Sequence, residues 1–153
     1  MAIWKPNVTV AAVIERAGRF LLVEEETAEG ARFNQPAGHL DEGESLVAAC
    51  ARETLEETAW GFTPTALVGV YQWQRPKKPD EDDITYLRFA FAGELGAHDP
   101  LRALDAGILR AMWMTLEEID VTRERHRSPL IRQCVSDYLA GRRFSLDLIR
   151  HYA

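Results

Sequence analysis

The chain has 153 residues, 46% of them hydrophobic and 27% charged, and a formal charge of −6. These values describe one globular domain, residues 1–153, with enough chain to bury a core. An acidic balance excludes the electrostatic footprint of a protein that grips duplex nucleic acid or an anionic membrane, so neither is expected as a partner. No apolar run is long enough to span a bilayer as a helix, and the opening MAIWKPNVTVAAVIERAG alternates like a strand rather than running like a signal peptide, which sets a cytoplasmic expectation. Cys50 and Cys134 lack metal-ligand spacing and read as reduced core residues.

In chain order, Val8, Val10, Ala12 and Ile14 alternate along a first strand, with Phe20 to Val23 returning as its hairpin partner. Thr27 to Arg32 reads as a polar loop. Asn34 to Leu40 is extended, because Pro36 disfavours helix before it, and Asp41-Glu42-Gly43 turns the chain. Strong helix formers run from Glu44 or Ser45 to about Ala59. Strands are expected at Ala66 to Trp73 and Ile84 to Leu95, separated by the charged loop 75–83. Ala111 to Met114 is a short strand, and Thr115-Leu116-Glu117-Glu118 is a capping box. A last amphipathic helix covers Pro129 to Ala140 and stops at Gly141. Strands interleaved with two substantial helices imply an α/β domain with layers packed on a central sheet.

The helix holds the unusual feature. In Arg52-Glu53-Thr54-Leu55-Glu56-Glu57-Thr58 the glutamates fall at i, i+3 and i+4, where like charges repel by a few tenths of a kcal/mol per pair. At about 100° per residue, with Leu46 at zero, Val47, Cys50, Ala51 and Thr54 cluster at roughly 40° to 140°, and the glutamates at roughly −80° to 20°. The carboxylates therefore border the buried stripe instead of opposing it. Two readings fit: a solvated acidic face, or a patch whose repulsion is cancelled by a divalent cation such as Mg²⁺ or Mn²⁺. Arg52 is placed both as an i,i+4 partner of Glu56 and, with Glu44, as a clamp on the preceding loop.

Gly38, five residues, Glu44, seven residues, and then Arg52-Glu53-Thr54-Leu55-Glu56-Glu57-Thr58-Ala59-Trp60 resemble the Nudix box, the loop–helix–loop signature of hydrolases acting on nucleoside diphosphates linked to another moiety. Two positions depart from it. Thr54 replaces an aliphatic, which a hydroxyl bonded back to a helical carbonyl tolerates. Ala59 replaces the second glycine, so either Ala59 takes a left-handed conformation at about 1 kcal/mol or the helix runs on to Gly61. Outside the box, FNQPAGHLDEGESLVAAC, YQWQRP, TYLRFAFAGEL and HRSPLIRQCVSDYLAGRRFSLDLI are similar, in order and spacing, to one phosphatase subgroup of the family.

The resemblance implies a Nudix fold, an α/β/α sandwich around a mixed sheet. It also implies Mg²⁺-dependent hydrolysis of hydroxymethylpyrimidine pyrophosphate, thiamine pyrophosphate and nucleoside di- and triphosphates, in a monomer. On that reading Glu53, Glu56, Glu57 and the Gly38 carbonyl hold the metal. Glu53 is the first choice to accept the proton of the attacking water, Glu57 and Arg52 complete the catalytic set, and Glu94 is a weaker candidate base. Gln35, His39, Arg88, Trp73 and Arg32 are substrate-binding candidates. Arg88 either contacts a phosphate or pairs with a carboxylate, since an unpaired charge within an apolar strand is costly. Trp73 with Tyr71 could stack a ring. Lys77, Lys78, His126 and the arginines around it read as ordinary surface. The alternatives are a hydrolase of oxidised nucleoside triphosphates or ADP-ribose, and a non-catalytic nucleotide sensor.

Overall fold

β1 (Asn7–Ala12) runs from Asn7 and the small, buried Thr9 into Val10, Ala11 and Ala12, and this apolar end lets it be buried on both faces. Val10 and Ala12 pack with Ala49 and Cys50 of α1 (Leu46–Thr58), while Ala11 packs with Cys134 and Val135 of a later helix on the opposite side. That two-sided burial makes the expected α/β/α sandwich. Each fully buried valine or leucine contributes about 1.5–3 kcal/mol.

The computed structural model describes residues 1–153. A short β2 (Glu15–Arg16) leads into β3 (Arg19–Thr27), which pairs antiparallel with β4 (Gly30–Asn34), so the segment read as a loop over 27–32 is mostly a hairpin. Gly30, at a φ of 97°, supplies the turn that lets the two strands meet so closely. β5 (Ala37–His39) precedes α1; β6 (Trp60–Gln74) and β7 (Thr85–His98) form a long antiparallel ribbon, and β8 (Ile108–Thr115) returns to β3. α2 (Leu116–Val121) is capped by Thr115, whose hydroxyl accepts from the Glu118 N–H at 3.1 Å, and α3 (Leu130–Leu139) is followed by β9 (Phe144–Ser145).

One sheet has the order β5-β1-β7-β6-β9, with β1 and β7 parallel and the other pairs antiparallel; the second joins β2, β3 and β4, with β8 on β3. The sandwich therefore encloses two sheets side by side. Their separation leaves a cleft between β4, β5 and the N-terminal end of β7, with α1 at one end and the turn into α3 at the other. Both cysteines are free and buried. No helix is long and apolar enough to cross a membrane.

Candidate active site

Ser45, not Glu44, caps α1, its hydroxyl accepting from the Ala48 N–H at 3.1 Å. The buried hydroxyls of Thr54 and Thr58 donate to the carbonyls of Cys50 and Thr54 at 2.8 and 2.6 Å, so the threonine departure costs no unpaired donor. Ala59 adopts φ 62° and ψ 15°, its N–H donating to the Leu55 carbonyl, and Trp60 begins β6 at once. The helix does not run on to Gly61; it stops on a strained alanine.

Arg52 organises the polar side of this helix. Its guanidinium donates to Glu44 (2.6 and 3.0 Å), Glu53 (2.9 Å), Glu56 (3.1 Å) and the His39 carbonyl (3.1 Å). One nitrogen thus bridges two of the mutually repelling glutamates, while the other nitrogens hold the loop before the helix. Both roles expected of Arg52 are present together. It does not line the cleft, however, so the expected direct catalytic contact is corrected to a positioning role: its donors are used up on neighbours. Hydrogen bonding to Arg52 lowers the Glu44 carboxyl's pKa despite burial.

The glutamates divide. Glu53, Glu56 and Asp105 bring carboxylate oxygens within 4.8 Å of one another. Asp105, on the loop before β8, is tied there by its N–H to the Glu56 carbonyl at 3.0 Å. Glu57 does not join this tight group, contrary to the expectation that Glu53, Glu56 and Glu57 share one centre. Its carboxylate turns inward to accept from the Ala37 N–H at 2.9 Å. Burial, and then the charges of Glu25, Glu53 and Asp105, push the Glu57 pKa up to about 8 against the pull of that N–H. Burial also raises Glu53, opposed by Arg52. Glu53 rests on Gly38, where a Cβ would fall closer to its carboxyl than the 3.0 Å that Cβ atoms keep, so any other residue displaces the carboxyl. Three hard oxygen donors around a common point suit a small divalent cation, so the residues present fit the metal that the sequence implies.

The cleft, about 520 Å³, is lined by Gly38, Glu53 and Glu57 at one end, with His39, Arg32, Trp73 and Arg88 among the other residues around it. Trp73 stacks on Tyr86, ring centroids 5.8 Å apart at 19°. Arg88 is 6% exposed and donates to the Gln35 side-chain oxygen (2.8 Å) and the Asn34 side-chain oxygen (2.9 Å), with no carboxylate in partnership.

Four expectations are corrected. Gln35 is 1% exposed and faces away from the cleft, its amide spanning Arg88 and the Ile131 carbonyl, because a buried amide must satisfy both ends. Tyr71 donates to Asp137 at 2.7 Å and anchors α3, leaving Tyr86 as the partner of Trp73. Glu94 lies exposed opposite Thr63 in the ribbon, beyond the end of β1 and away from the cleft. His126 is not ordinary surface: it bridges to Phe33, lines the cleft, and has its Nε2 buried without a partner. Reasoning from sequence also missed Asp105 and Glu25. Asp105 carries no local signal. Carrying the strand past Val23 would have set Glu25 in phase with Leu21, which packs toward α1.

The NUDIX domain matches residues 4–134. The chain belongs to the Nudix family. Phosphatase NudJ of Escherichia coli (strain K12) is 40% identical over 146 residues, covering 95% of this chain and 92% of the relative. A NUDIX hydrolase from Nitrosomonas europaea superposes with a TM-score of 0.91 at 49% identity, covering 97% of this chain and 98% of its own. A MutT protein from Methanosarcina mazei Go1, at 21% identity and a TM-score of 0.68 over 92% of this chain and 99% of its own, shares the fold. As a Nudix hydrolase, the protein is an enzyme of the pyrophosphohydrolase class.

Proposed function

We propose that the protein hydrolyses pyrophosphate bonds with water as the nucleophile in a Mg²⁺-dependent reaction, acting on hydroxymethylpyrimidine pyrophosphate, thiamine pyrophosphate and nucleoside di- and triphosphates. One observation carries the reading. The carboxylate cluster that fits a divalent cation reaches the cleft through Glu53, beside Gly38 and Glu57, and the same cleft is lined by a buried arginine with no carboxylate partner. A pyrophosphate needs both, since the carboxylates alone would repel it.

Glu53, Glu56 and Asp105 would hold the ion, with the Gly38 carbonyl as a further donor. Mg²⁺ bound there supplies charge neutralisation on phosphoryl oxygens and eases deprotonation of water. Arg88, fixed by two amide oxygens, binds a phosphoryl oxygen in its cradle; orientation is set before the substrate arrives. Glu53 accepts the proton of the attacking water, its burial bringing the carboxyl closer to the working pH. Arg52 aims Glu53 and Glu56. Trp73, flanked by Tyr86, offers a face to a pyrimidine or thiazole ring, and His39 and Arg32 border the same opening. The identity to phosphatase NudJ supports small phosphorylated substrates.

The test is release of phosphate or pyrophosphate from a panel of these compounds with Mg²⁺, comparing the parent with Glu53→Gln and Glu57→Gln. Loss of about a hundredfold or more is expected in Glu53→Gln, the assigned base, and a smaller loss in Glu57→Gln, whose carboxylate holds the Ala37 amide beside the cleft. Failure to turn over any substrate, or variants that match the parent, would sink the hydrolase assignment. Oxidised nucleoside triphosphates and ADP-ribose belong in the same panel, and binding without turnover would favour a sensor.

A further inference from the structure

Beyond Trp73 the cleft continues into a second cavity of about 500 Å³, lined by Arg75, Lys78, Arg123, His126, Arg127 and Arg132 and by one acid, Glu29. In a chain of net charge −6, such a concentration of cations on one cavity stands out. Compensation is incomplete. Arg123 and Arg132 share one oxygen of Asp120 (3.0 and 2.6 Å), Arg127 pairs with Glu25 and Arg75 with Glu81 (both 2.9 Å), and Lys78 pairs with Glu29. Five cations therefore meet four carboxylates, and the guanidinium forks keep unspent donors.

Two further features border this space. His126 lines both cavities and leaves its Nε2 buried and unpaired. Ser128 and Pro129 line the second cavity at the start of the ten-residue α3, where Ser128 already accepts from the Leu130 N–H at 3.2 Å, so the helix end adds only its dipole to the positive field there. The distance to the carboxylates follows from the chain. The Arg127 N–H bonds to the Phe33 carbonyl at 2.9 Å, and Phe33 lies five residues from Gly38, at most about 17 Å along extended backbone.

We infer that this cavity binds a phosphate group of the substrate remote from the scissile pyrophosphate. The preferred substrates then carry a second phosphate, either as an ester on the organic part or at the end of a longer polyphosphate chain. The inference rests on the pyrophosphohydrolase reading and adds to it a second anion subsite that sets specificity.

The test measures binding to the full chain by calorimetry, without turnover, using two matched pairs: adenosine 3′,5′-bisphosphate against adenosine 5′-monophosphate, and adenosine 5′-tetraphosphate against the 5′-diphosphate with the carboxylates protected by Glu53→Gln. In at least one pair the more phosphorylated member binds about tenfold tighter, and the pair that shows it identifies the source of the phosphate. Arg132→Gln and Arg123→Gln, at residues that line the second cavity and not the cleft, each shrink that margin without weakening the less phosphorylated member. Arg123 is exposed and pairs with Asp120 three residues away, so that variant decides the matter if Arg132→Gln, which unties α2 from α3, fails to fold. Equal affinities within both pairs, or variants that weaken both members alike, overturn the inference. A preserved margin with no turnover of any pyrophosphate would instead sink the hydrolase reading and leave the anion subsite standing.

Discussion

Gly38→Ala isolates the contact on which the acidic cluster depends. The added Cβ falls within the 3.0 Å exclusion distance of the Glu53 carboxyl, which must swing away. Because the obstructed group is the end of a flexible side chain, the fold accommodates the change. The cost is the Arg52–Glu53 ion pair at 2.9 Å, about 1 kcal/mol, plus the low end of the overpacking range, for a total of about 2 kcal/mol. For a chain of this length that lowers Tm by about 4–8 °C. The activity loss is larger, since misplacing a reacting group by about 1 Å costs roughly a hundredfold. Differential scanning fluorimetry and pyrophosphate release on one sample compare the two effects. Glu53→Gln, which keeps the shape of the side chain, serves as the reference and should lose comparable activity. Turnover within about twofold of the parent would refute the reasoning, as would a Tm drop large enough that unfolding explains the loss.

Glu57 has a folded pKa of about 8 against an ordinary value of 4.5, so the folded protein holds a proton that the unfolded chain releases. Its contribution to stability is complete below about 4.5 and disappears as pH rises through about 8, a loss of at most about 5 kcal/mol. Without metal, Tm should therefore fall from pH 5 to pH 8. Saturating Mg²⁺ should restore it at pH 8, and Glu57→Gln should flatten the profile; a metal-free parent with no such slope contradicts the assignment. Arg52→Lys keeps the charge but cannot span Glu44, Glu53, Glu56 and the His39 carbonyl, so kcat should fall roughly a hundredfold while circular dichroism stays native. Asp105→Asn should raise the Mg²⁺ concentration for half-maximal activity about tenfold and leave kcat at saturation near parental, as a Mg²⁺ titration of the rate would show.

Local chemistry made much of the molecule readable before any coordinates. Ser45 and Thr115 mark helix starts because their hydroxyls satisfy orphan N–H groups, and β1 betrays its two-sided burial by the run Val10-Ala11-Ala12, which has no charged alternate. Glu53 and Glu56 were placed by helical periodicity alone. The same periodicity could not tell that Glu57 turns to the Ala37 amide, because that donor belongs to another element. Asp105 was invisible for a related reason: a ligand that meets α1 only through the tertiary fold leaves no spacing to count. Arg88 showed the opposite case. A charge inside an apolar strand required an explanation from sequence, and the structure supplies it with the Asn34 and Gln35 amides. The arginines near His126 are exposed, as a basic surface run should be, but that Arg123 and Arg127 also border a cavity depends on the tertiary fold and leaves no mark in the sequence.

The attachment of Asp105 to the Glu56 carbonyl has a consequence for chain connectivity. A cation held by Glu53, Glu56 and Asp105 would close a loop of about 50 residues spanning the whole β6–β7 ribbon, acting as a removable cross-link in place of a covalent one. Loading the site would then restrict the opening of this long hairpin as well as prepare the chemistry. Amide exchange in residues 99–107 would slow in step with ion occupancy, reporting at a distance on events at the helix.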